Sequence, residues 1–447
     1  MDTKKLRQKI LDLAIRGKLV PQDPNDEPAS VLLERIRAEK EQLIKEGKIK
    51  RTKKPAASDT SHYENIPYKI PSNWCWTTIG ELFYLQAGKF INASEITDCK
   101  DDLHSYPCYG GNGLRGYVTT YNRNGLFPII GRQGALCGNI NVAEGKFYAT
   151  EHAVAVETFA SVDVKVFVYF LMQLNLNQYA TATAQPGLAV KTINEVSIPL
   201  PPLNEQYRIS HAIEKAFNKM SIIDESKCSL CMGIQQFKAG VLDIAISGKL
   251  VPQDSSDEPA IELLKRINPD FVSCDNRHYR QLPDSWEICQ LKDIFDITMG
   301  QSPAGNTING KCGTEFHQGK INFTEKYLSE SSQYTTTPSK TAAPESLLLC
   351  VRAPVGVVNI TKREICIGRG LCSLRPKYDI DCLYWLYILS TLKDYFEENA
   401  TGSTFKAISG GIIRNACIPF PPLSEQKRIL SKINELFCLL DKITAEL

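Results

Sequence analysis

The 447-residue sequence lacks an apolar run long enough to cross a bilayer, which needs about 20 consecutive apolar residues, so no membrane span is predicted. Apolar residues are also few at its start, where the first residues predict a charged amphipathic helix and not a signal peptide. An excess of one charge is missing too: 52 Lys and Arg face 50 Asp and Glu, for a formal net charge of +2. This balance excludes a global basic field that attracts any polyanion.

Familiar catalytic motifs are absent as well. The sequence contains no GxxxxGK[ST] phosphate loop, no GxGxxG between a strand and a helix, no HExxH pair and no GxSxG nucleophile elbow. The six histidines are dispersed without the spacing of metal ligands. We therefore predict neither a metal site nor a catalytic residue. Paired carboxylates stay open as an alternative, because sequence alone does not show which carboxylates meet.

Cysteine is not scarce, since fifteen are scattered along the chain. The odd number and the missing leader favour free thiols in a reducing compartment, which predicts a cytoplasmic protein. Cys228 and Cys231 have CxxC spacing, but they lie within a predicted helix and have no second pair. A structural role is therefore favoured over a zinc or redox site.

The chain contains an internal duplication. PPLNEQYRI at 201–209 returns as PPLSEQKRI at 421–429. ILDLAIRGKLVPQD at 10–23 returns as VLDIAISGKLVPQD at 241–254. The central stretch thus contains both motifs, and each motif occurs again near one end of the chain. Such repetition defines the architecture before any other pattern does.

The central stretch predicts one long helix. Apolar residues recur there every three or four positions with one polar interruption at Lys227, which is the a/d pattern of a coiled coil. We expect an N-cap at Asn204, an end at Gly248 and a length of about 65 Å. A narrow apolar stripe needs a partner helix, and the terminal copies offer one, so we expect antiparallel pairing with pseudo-two-fold symmetry. An ordinary core helix is the alternative. The residues predicted to form this helical seam, which the resemblance described below implies to be a spacer that docks partners, are Ile10, Ile209, Ile213, Phe237, Ile244, Ile429, Ile433 and Phe437.

Two globular regions lie between the helical segments. Both open on similar sequence, in which Trp74 aligns with Trp286 and Gly88 with Gly300 at one common offset, while their interiors differ. Strand-like runs such as Phe127–Ile130 among glycine-rich turns predict an α+β fold of two globular α/β domains separated by long antiparallel helices. The predicted boundaries are 1–61 for the N-terminal half of the helical region with a basic linker, 62–200 for the first globular domain, 201–270 for the central helical region, 271–420 for the second globular domain and 421–447 for the C-terminal half of the helical region.

Glycine-rich loops with single cations recur in both interiors, for example GRQG at 131–134 and GRG at 368–370. Glycine allows close approach of the backbone to a groove or phosphate, arginine pairs with guanine, and glutamine or asparagine pairs with adenine. Tight turns with internally paired arginines are the alternative. The basic linker residues Lys48, Lys50, Arg51, Lys53 and Lys54 could also touch phosphate, although a solvated linker explains them equally well. The candidate DNA-binding residues are Arg115, Tyr117, Arg132, Gln133, Asn139, Gln301, Ser302, Gln318, Lys320, Arg352 and Arg369.

The border motifs PPLxEQxRI and AIxGKLVPQDxxDEPA, with the openings around Trp74 and Trp286, resemble the specificity subunit of type I restriction–modification systems over essentially the whole chain. MGQSPAG, FHQGK, VRAPVG and IGRG in the second domain, and YGGNGLRGY and IIGRQGALCGN in the first, resemble two branches of target-recognition domains. The resemblance implies that each domain reads one half of a gapped, two-part sequence in double-stranded DNA. The helical spacers would set the gap and dock two methyltransferase (M) subunits.

The same resemblance implies a non-catalytic subunit without a cofactor of its own. S-adenosylmethionine, ATP and Mg are expected in the partner subunits, which are the M subunits and the motor-nuclease restriction (R) subunits. Many members begin directly with a recognition domain, whereas this sequence begins with half a spacer, which implies a circular permutation of the family plan. Two alternatives come from other classes of function. One is an autonomous nuclease, and the other is a two-domain scaffold that binds protein and not DNA.

Overall fold

The computed structural model describes residues 2–50, 68–134, 136–159, 162–181, 186–274, 279, 281–402 and 406–447. Three basic linker residues (Arg51, Lys53 and Lys54) lie outside the described residues. The chain divides into two units, Met1–Ser226 and Lys227–Leu447. The boundary falls inside one long helix, so each unit contains part of that helix, one globular domain and one terminal segment.

The first unit combines helices at its borders with strands in its interior. Its helices are α1 (Thr3–Ile15), α2 (Ala29–Lys45), α3 (Ile79–Leu82), α4 (Val164–Gln173), α5 (Val190–Glu195) and α6 (Leu203–Ile246), the last of which continues into the second unit. Its strands are β1 (Cys75–Thr78), β2 (Phe83–Ala87), β3 (Tyr106–Gly110), β4 (Gly113–Val118), β5 (Arg123–Asn124), β6 (Phe127–Gly131), β7 (Ile140–Ala143), β8 (Lys146–Ala149), β9 (Ala153–Thr158) and β10 (Ser197–Leu200).

Three sheets organise the strands of the first unit. One has the order β2-β9-β6-β7, the second has the order β4-β3-β8-β5, and the third pairs β1 with β10. In the second sheet β3 and β8 run parallel, while β3 and β4 form an antiparallel hairpin. The apolar face of α4 closes the core, where Phe167 and Phe170 are fully buried beside Phe83 and Trp74. These bulky rings remove a large apolar area from water, which is the main source of stability for such a core.

The second unit follows the same plan. Its helices are α7 (Ala260–Ile267), α8 (Leu291–Ile294), α9 (Cys382–Ser390), α10 (Lys393–Glu398), α11 (Gly410–Asn415) and α12 (Leu423–Glu446). Its strands are β11 (Glu287–Gln290), β12 (Phe295–Met299), β13 (Ile308–Asn309), β14 (Thr314–His317), β15 (Tyr334–Thr335), β16 (Thr341–Ala342), β17 (Ser346–Cys350), β18 (Val358–Thr361), β19 (Ile365–Ile367), β20 (Leu371–Pro376) and β21 (Cys417–Phe420).

The sheets of the second unit correspond to those of the first, although the sequences of the interiors differ. The order β12-β20-β17-β18 matches β2-β9-β6-β7, and the pair β11-β21 matches β1-β10. The remaining sheet has the order β13-β15-β14-β19-β16, and its parallel pair β14-β19 matches β3-β8. The chain is therefore a mixed structure of helix and sheet with two domains of one architecture.

Within each unit, a terminal helix or loop lies along part of α6, and the two segments run in opposite directions. In the first unit, Arg7 of α1 pairs with Asp224 at 3.3 Å, whereas the loop residue Gln22 reaches Glu205. In the second unit, Lys238 of α6 pairs with Asp441 of α12 at 2.5 Å. No helix among the described residues is both long and apolar enough to cross a membrane.

Two residues of the predicted apolar seam are misassigned. Phe237 and Ile244 are 57% and 46% exposed, whereas Ile234, Val241 and Ala245 are buried. In the second unit, the buried residues of α6 are thus spaced by seven and then by four positions. Residues three positions after a buried one are rotated by roughly 60° from the line of these buried residues, so Phe237 and Ile244 lie beside the seam and not in it.

Lys238 explains the displacement of Phe237. Its side chain is only 15% exposed, and its ammonium lies 5.1 Å from the centre of the Phe437 ring while it pairs with Asp441. A lysine can bury its aliphatic stem and keep its charge paired at the rim. Lys238 therefore fills the inward position, and the neighbouring Phe237 points outward.

The predicted N-cap Asn204 is also wrong. Helix α6 begins at Leu203, directly after Pro202, and the equivalent α12 has Pro422 as its N-cap. The proline carbonyl accepts the first helical hydrogen bond in both copies, from the Gln206 N–H to Pro202 and from the Gln426 N–H to Pro422, each at 2.9 Å. Asn204 instead lies in the first turn. The Arg208 hydrogen bond is the main cause of the lowered pKa of Asp26, and a hydrogen bond from the Asn204 side chain adds to it.

The repeated motifs encode a joint between a loop and the start of a helix. In the first unit, Glu205 of the EQ motif accepts hydrogen bonds from the Trp74 indole at 2.9 Å and from Gln22 of the VPQD motif at 2.6 Å. Arg208 pairs with the buried Asp26 carboxylate at 2.5 Å. Burial raises the pKa of Glu205 despite these donors. The joint thus uses five side chains from both repeated motifs and from the domain opening.

The second unit contains the same joint. Glu425 accepts hydrogen bonds from the Trp286 indole at 2.8 Å and from Gln253 at 2.5 Å. Arg428 pairs with Asp257 at 2.7 Å. Since the joint needs both motifs together, their recurrence at opposite ends of the sequence has a structural reason: each unit requires one complete set.

Candidate nucleic-acid interface

The predicted DNA-binding residues of the second unit follow the ends of four strands. Gln301 and Ser302 come after β12, and Gln318 comes after β14. Arg352 comes after β17, and Arg369 comes after β19. These strands end at one edge of the domain, so residues that are far apart in sequence, such as Ser302 and Arg369, become neighbours.

Hydrogen bonds hold these strand ends together. The Gln301 N–H donates to the Ile367 carbonyl at 3.0 Å. The Ser302 hydroxyl donates to the side-chain oxygen of Gln318 at 2.8 Å and accepts from the Arg369 N–H at 3.4 Å. The structure therefore brings the predicted residues of the second unit into one cluster.

An open cavity of about 270 Å³ lies at the centre of the cluster. Its lining includes Gln318, Lys320, Arg352 and Gly370. The close packing requires a glycine at position 370, because a side chain there would collide with the carbonyl oxygen of Gln318. The close approach keeps one wall of the cavity as bare backbone.

The cations around the cavity are available for a ligand. Lys320, Arg352 and Arg369 are exposed, and none of their side chains makes an ion pair or hydrogen bond within the described part of the chain. Burial raises the pKa of the Cys350 thiol in the cavity wall to about 12, and the nearby Lys320 charge only partly opposes this effect. The thiol is therefore neutral, and the cavity presents positive charge without a compensating anion among its lining residues.

The first unit has the same arrangement of strand ends. The Lys89 N–H donates to the Ala149 carbonyl at 3.0 Å, as Gln301 does to Ile367 in the second unit. Gln133 forms a bridge with Gly187, as Arg352 does with Ala407. Lys89 is thus equivalent to Gln301, and Gln133 is equivalent to Arg352. The two units place different side chains at matching positions of one frame.

A third equivalence joins residues of opposite charge. The Thr150 N–H donates to the Tyr109 carbonyl at 2.9 Å, and the Gly368 N–H donates to the His317 carbonyl at 2.8 Å. The residue after Thr150 is Glu151, and the residue after Gly368 is Arg369. A carboxylate in the first unit therefore occupies the position of a guanidinium in the second, so the two domains offer different chemistry to a ligand.

The predicted residues of the first unit are arranged around the β3–β4 hairpin. The stem of Arg115 lies against Gly110, and its guanidinium has no partner within the residues described. Tyr117 lies two residues further along β4 and exchanges backbone hydrogen bonds with Thr97. Gly111 at the hairpin tip approaches the backbone of Gln133, which brings Arg115 and Gln133 to the same edge.

Two further predicted residues have mainly structural contacts. The Arg132 guanidinium donates to the carbonyls of Leu188 and Glu151 at 3.4 Å each, so it is used internally. The backbone carbonyl of Asn139 accepts a hydrogen bond from the Gly131 N–H at 2.9 Å, and Asn139 as a whole is exposed. Asn139 therefore stays available to a ligand through its side chain, whereas Arg132 is committed to the fold.

Sequence reasoning missed a group of polar side chains beneath the hairpin. Asn141 Nδ2, Thr150 Oγ1, Glu151 Oε2 and His152 Nδ1 are buried atoms without a hydrogen-bond partner among the described residues. Leaving a buried polar group unpaired costs about 1–3 kcal/mol, and such groups concentrate at functional sites. Sequence reasoning also missed Lys89. The alignment of Gly88 with Gly300 would have indicated it, because the next residues in the two sequences are Lys89 and the predicted residue Gln301.

The predicted spacer residues divide into two groups. Ile209, Ile213, Ile429 and Ile433 are fully buried, and Phe437 is nearly so. Ile10 is partly buried against the core of the first unit. These six residues therefore contribute to packing within the units, whereas Phe237 and Ile244 point outward. Within the described segments, no group of three or more His, Cys, Asp or Glu residues could hold a metal ion.

The chain thus belongs to a class of proteins with two domains of one architecture. Each domain has its own set of side chains at the equivalent strand ends. A family model for the type I restriction modification DNA specificity domain matches residues 71–230 and 283–447. The two matches cover most of the sequence, and the chain belongs to this family. The resemblance of the border motifs is thereby confirmed.

Curated relatives agree with this assignment. The type I restriction enzyme EcoAI specificity subunit of Escherichia coli is 26% identical over an alignment of 549 residues, which covers 98% of this chain and 90% of the relative. The type I restriction enzyme EcoprrI specificity subunit of Escherichia coli is 44% identical over 138 residues, which is 31% of this chain but only 34% of that relative. The similarity therefore extends over the whole chain at low identity and rises within one part.

A solved structure shares the fold. Its description is the structural basis underlying complex assembly and conformational transition of the type I R-M system. One of its chains matches with a TM-score of 0.62 at 23% identity, covering 85% of this chain and 94% of that chain. At this level of identity, the likeness concerns the architecture and not individual contacts.

Proposed function

We propose that this chain is the DNA sequence-specificity subunit of a type I restriction–modification complex, in which each globular domain reads one half of a gapped, two-part target. Family membership supports the class of function. The observation that carries the proposal is the cluster of exposed side chains at equivalent strand ends of both units. In the second unit these include Arg352 and Arg369, whose guanidinium groups have no partner within the described residues.

The chemistry of each cluster suits a base edge better than a protein surface. Arginine forms two hydrogen bonds to guanine, glutamine does so to adenine, and glutamate accepts from cytosine. The second unit offers Gln301, Arg352 and Arg369, whereas the matching positions of the first unit are Lys89, Gln133 and Glu151. Two different donor and acceptor sets on one frame are what reading two different half-sites requires.

We assign a spacing and docking role to the helices. A coiled-coil pairing of α6 with the terminal helices, related by pseudo-two-fold symmetry, would keep the distance between half-sites constant and would dock two M subunits. The antiparallel contacts of α6 within each unit support this role. R subunits would complete the complex. S-adenosylmethionine, ATP and Mg would then act in these partners, and this chain would have no catalytic residue.

The salt dependence of DNA affinity tests the proposal. The chain, co-purified with its M subunit, should bind sheared genomic duplex with an affinity that falls steeply between 50 and 200 mM salt, since each neutralised phosphate contributes a slope of about −0.9. An affinity that does not change with the salt concentration would favour a scaffold that binds protein. Metal-dependent cleavage of the duplex by this chain alone would favour an autonomous nuclease.

A further inference from the structure

A charged network is buried directly behind the strand end that carries Gln318 and Lys320. Glu315 and His317 lie on β14, and their side chains are 8% and 0% exposed. The Arg363 guanidinium, between β18 and β19, donates to both carboxylate oxygens of Glu315, with Nη2 at 2.7 Å from Oε1. The Arg363 side chain is itself 36% exposed, but a bidentate pair of this kind still holds its partners in one geometry.

The Glu315 carboxylate is surrounded by donors. The Ser331 N–H donates to it at 2.6 Å, and His317 Nε2 lies 2.8 Å from it. Burial alone would raise the pKa of Glu315, but the hydrogen bonds from Arg363, Ser331 and His317 lower it to about 2. The ionised carboxylate keeps a proton on Nε2 of the imidazole, which leaves Nδ1 to accept from the Asn322 amide at 3.2 Å.

The network holds both ends of the loop that contains Lys320. Asn322 belongs to the 3₁₀ turn that begins at Lys320. At the far end of the loop, Arg363 donates to the carbonyls of Leu328 at 3.2 Å and Ser329 at 3.0 Å. Glu315 is common to both ends, because its carboxylate pairs with His317 and with Arg363, so its replacement would free both anchors of the loop.

The same strand end is coupled to the other cations of the cluster. The His317 carbonyl accepts from the Gly368 N–H at 2.8 Å, and Arg369 follows directly. Gln318 is held by the Ser302 hydroxyl. A displacement of His317 thus moves Gln318, Lys320 and Arg369 together. At the corresponding places on β3, the first unit has Pro107 and Tyr109, which cannot form such a network.

We propose that Glu315, His317 and Arg363 are positioning residues that hold Gln318 and Lys320 in register with the bases of one half-site without touching DNA themselves. The inference rests on the proposed function and adds a specificity determinant to the second domain. Recognition of a base edge needs placement within about 0.5 Å, and buried, fully paired networks supply that rigidity.

Genome-wide maps of methylated adenine test the proposal in cells that contain the M subunit with the wild-type chain, Glu315→Gln, Arg363→Lys or the control Glu258→Gln. Glu258 pairs with Arg266 in the same unit, but this pair is largely exposed and remote in sequence from the loop. We expect Glu315→Gln to raise methylation at sites mismatched in one half by at least tenfold relative to matched sites. Arg363→Lys keeps the positive charge but cannot donate to both carboxylate oxygens in the same way, so it should show the same change more weakly. The control should match the wild type.

Two outcomes would overturn the inference, and they differ from a failure of the proposed function. If Glu315→Gln and Arg363→Lys lower methylation at all sites equally and leave the motif unchanged, the network only stabilises the fold. If both halves of the motif relax together, the network does not act through the second domain. If the wild-type chain yields no two-part motif at all, the proposed function itself fails, and the inference fails with it.

Discussion

At the scale of single residues, the defining property of the second domain is a set of cations that the fold leaves unused. Arg363 and Arg428 are tied to carboxylates, whereas Arg352 and Arg369 have exposed guanidinium groups without partners in the described segments. An arginine that stabilises a fold is normally paired, so an unpaired one at a cavity rim indicates a ligand.

Arg369→Ala should relax recognition of one half-site only. A bidentate contact to guanine discriminates by about 1–3 kcal/mol, which corresponds to a loss of preference of about fivefold to 150-fold at one base pair. Arg375→Ala is the matched control, because Arg375 is also exposed and unpaired within the described chain but lies at the opposite end of β20. Competition binding with duplexes varied at single positions measures the effect. Equal relaxation of both half-sites would contradict the domain assignment.

Glu151→Ala should change the other half-site. Glu151 occupies the position of Arg369 in the first unit; its Oε1 lies 3.1 Å from His152 Nε2, and its buried Oε2 has no partner in the described structure. A carboxylate accepts from the exocyclic amine of cytosine, so its removal should abolish a preference for that base at one position. Glu144→Ala, in the exposed turn between β7 and β8, is the control. If the two variants gave the same profile, Glu151 would not be a reader.

The network around Glu315 predicts a dependence of stability on pH. The pKa of Glu315 is lowered to about 2, so the stability it contributes is complete above its unfolded pKa near 4.5 and is lost as the pH falls towards 2. Burial lowers the pKa of His317, which adds a loss as the pH falls below 6.5. Thermal melting between pH 7 and pH 3 should therefore show a shallower acid decline for Glu315→Gln than for the wild type. Parallel declines would show that this pair is not linked to folding.

At the scale of elements, α6 has a packed face and a free face. Ile213 is fully buried in the first unit, while Phe237 is 57% exposed in the second. The free face presents apolar side chains that the chain itself does not cover, such as Ile222 at 62% exposure. Exposed apolar residues along one helix are typical of a surface that contacts another protein.

Substitution by aspartate should separate the two faces. Ile213→Asp places a charge among buried apolar residues and should cost about 3 kcal/mol or more of unfolding free energy. Phe237→Asp should leave the melting temperature almost unchanged but should weaken co-purification with the M subunit. Melting curves and complex mass, measured side by side, check both statements. A large drop in melting temperature for Phe237→Asp would mean that this side chain packs inside the unit.

Much of the element plan could be predicted from sequence, because it depends on repeated local patterns. The duplication, the long helix and the strand at Phe127–Gly131 follow from motif offsets and residue periodicity. The outward position of Phe237 could not be predicted, since it depends on how Lys238 packs against Phe437, in a helix at the far end of the sequence. A heptad pattern alone does not show which of two neighbouring stripes is filled by a lysine stem.

The candidate site was predictable in part for a similar reason. Glycine loops with single cations indicated Arg352 and Gln133 separately. Their equivalence could not be seen in the sequences, because it is defined by backbone bridges to Ala407 and Gly187. Glu151 was missed because an acidic residue does not fit a search for cations. Hydrogen-bond register, and not side-chain type, identifies the matching positions of the two domains.

At the scale of the whole molecule, the chain consists of two units that repeat one architecture and one joint but differ in their strand-end residues. The joint residues, such as Glu205 and Glu425, are identical in type and contacts. The proposed reading positions, such as Glu151 and Arg369, differ in residue type. Under the proposed function, two domains of one architecture with different side chains at these positions would recognise two different sequences.

The measurement that tests this account most directly is a genome-wide map of methylated adenine in cells that contain the M subunit with or without this chain. We predict a gapped motif of two unlike halves that is present only with the chain. A map that is unchanged by the chain, although the chain co-purifies with the M subunit, would contradict the account. A single continuous motif would equally contradict the assignment of one half-site to each unit.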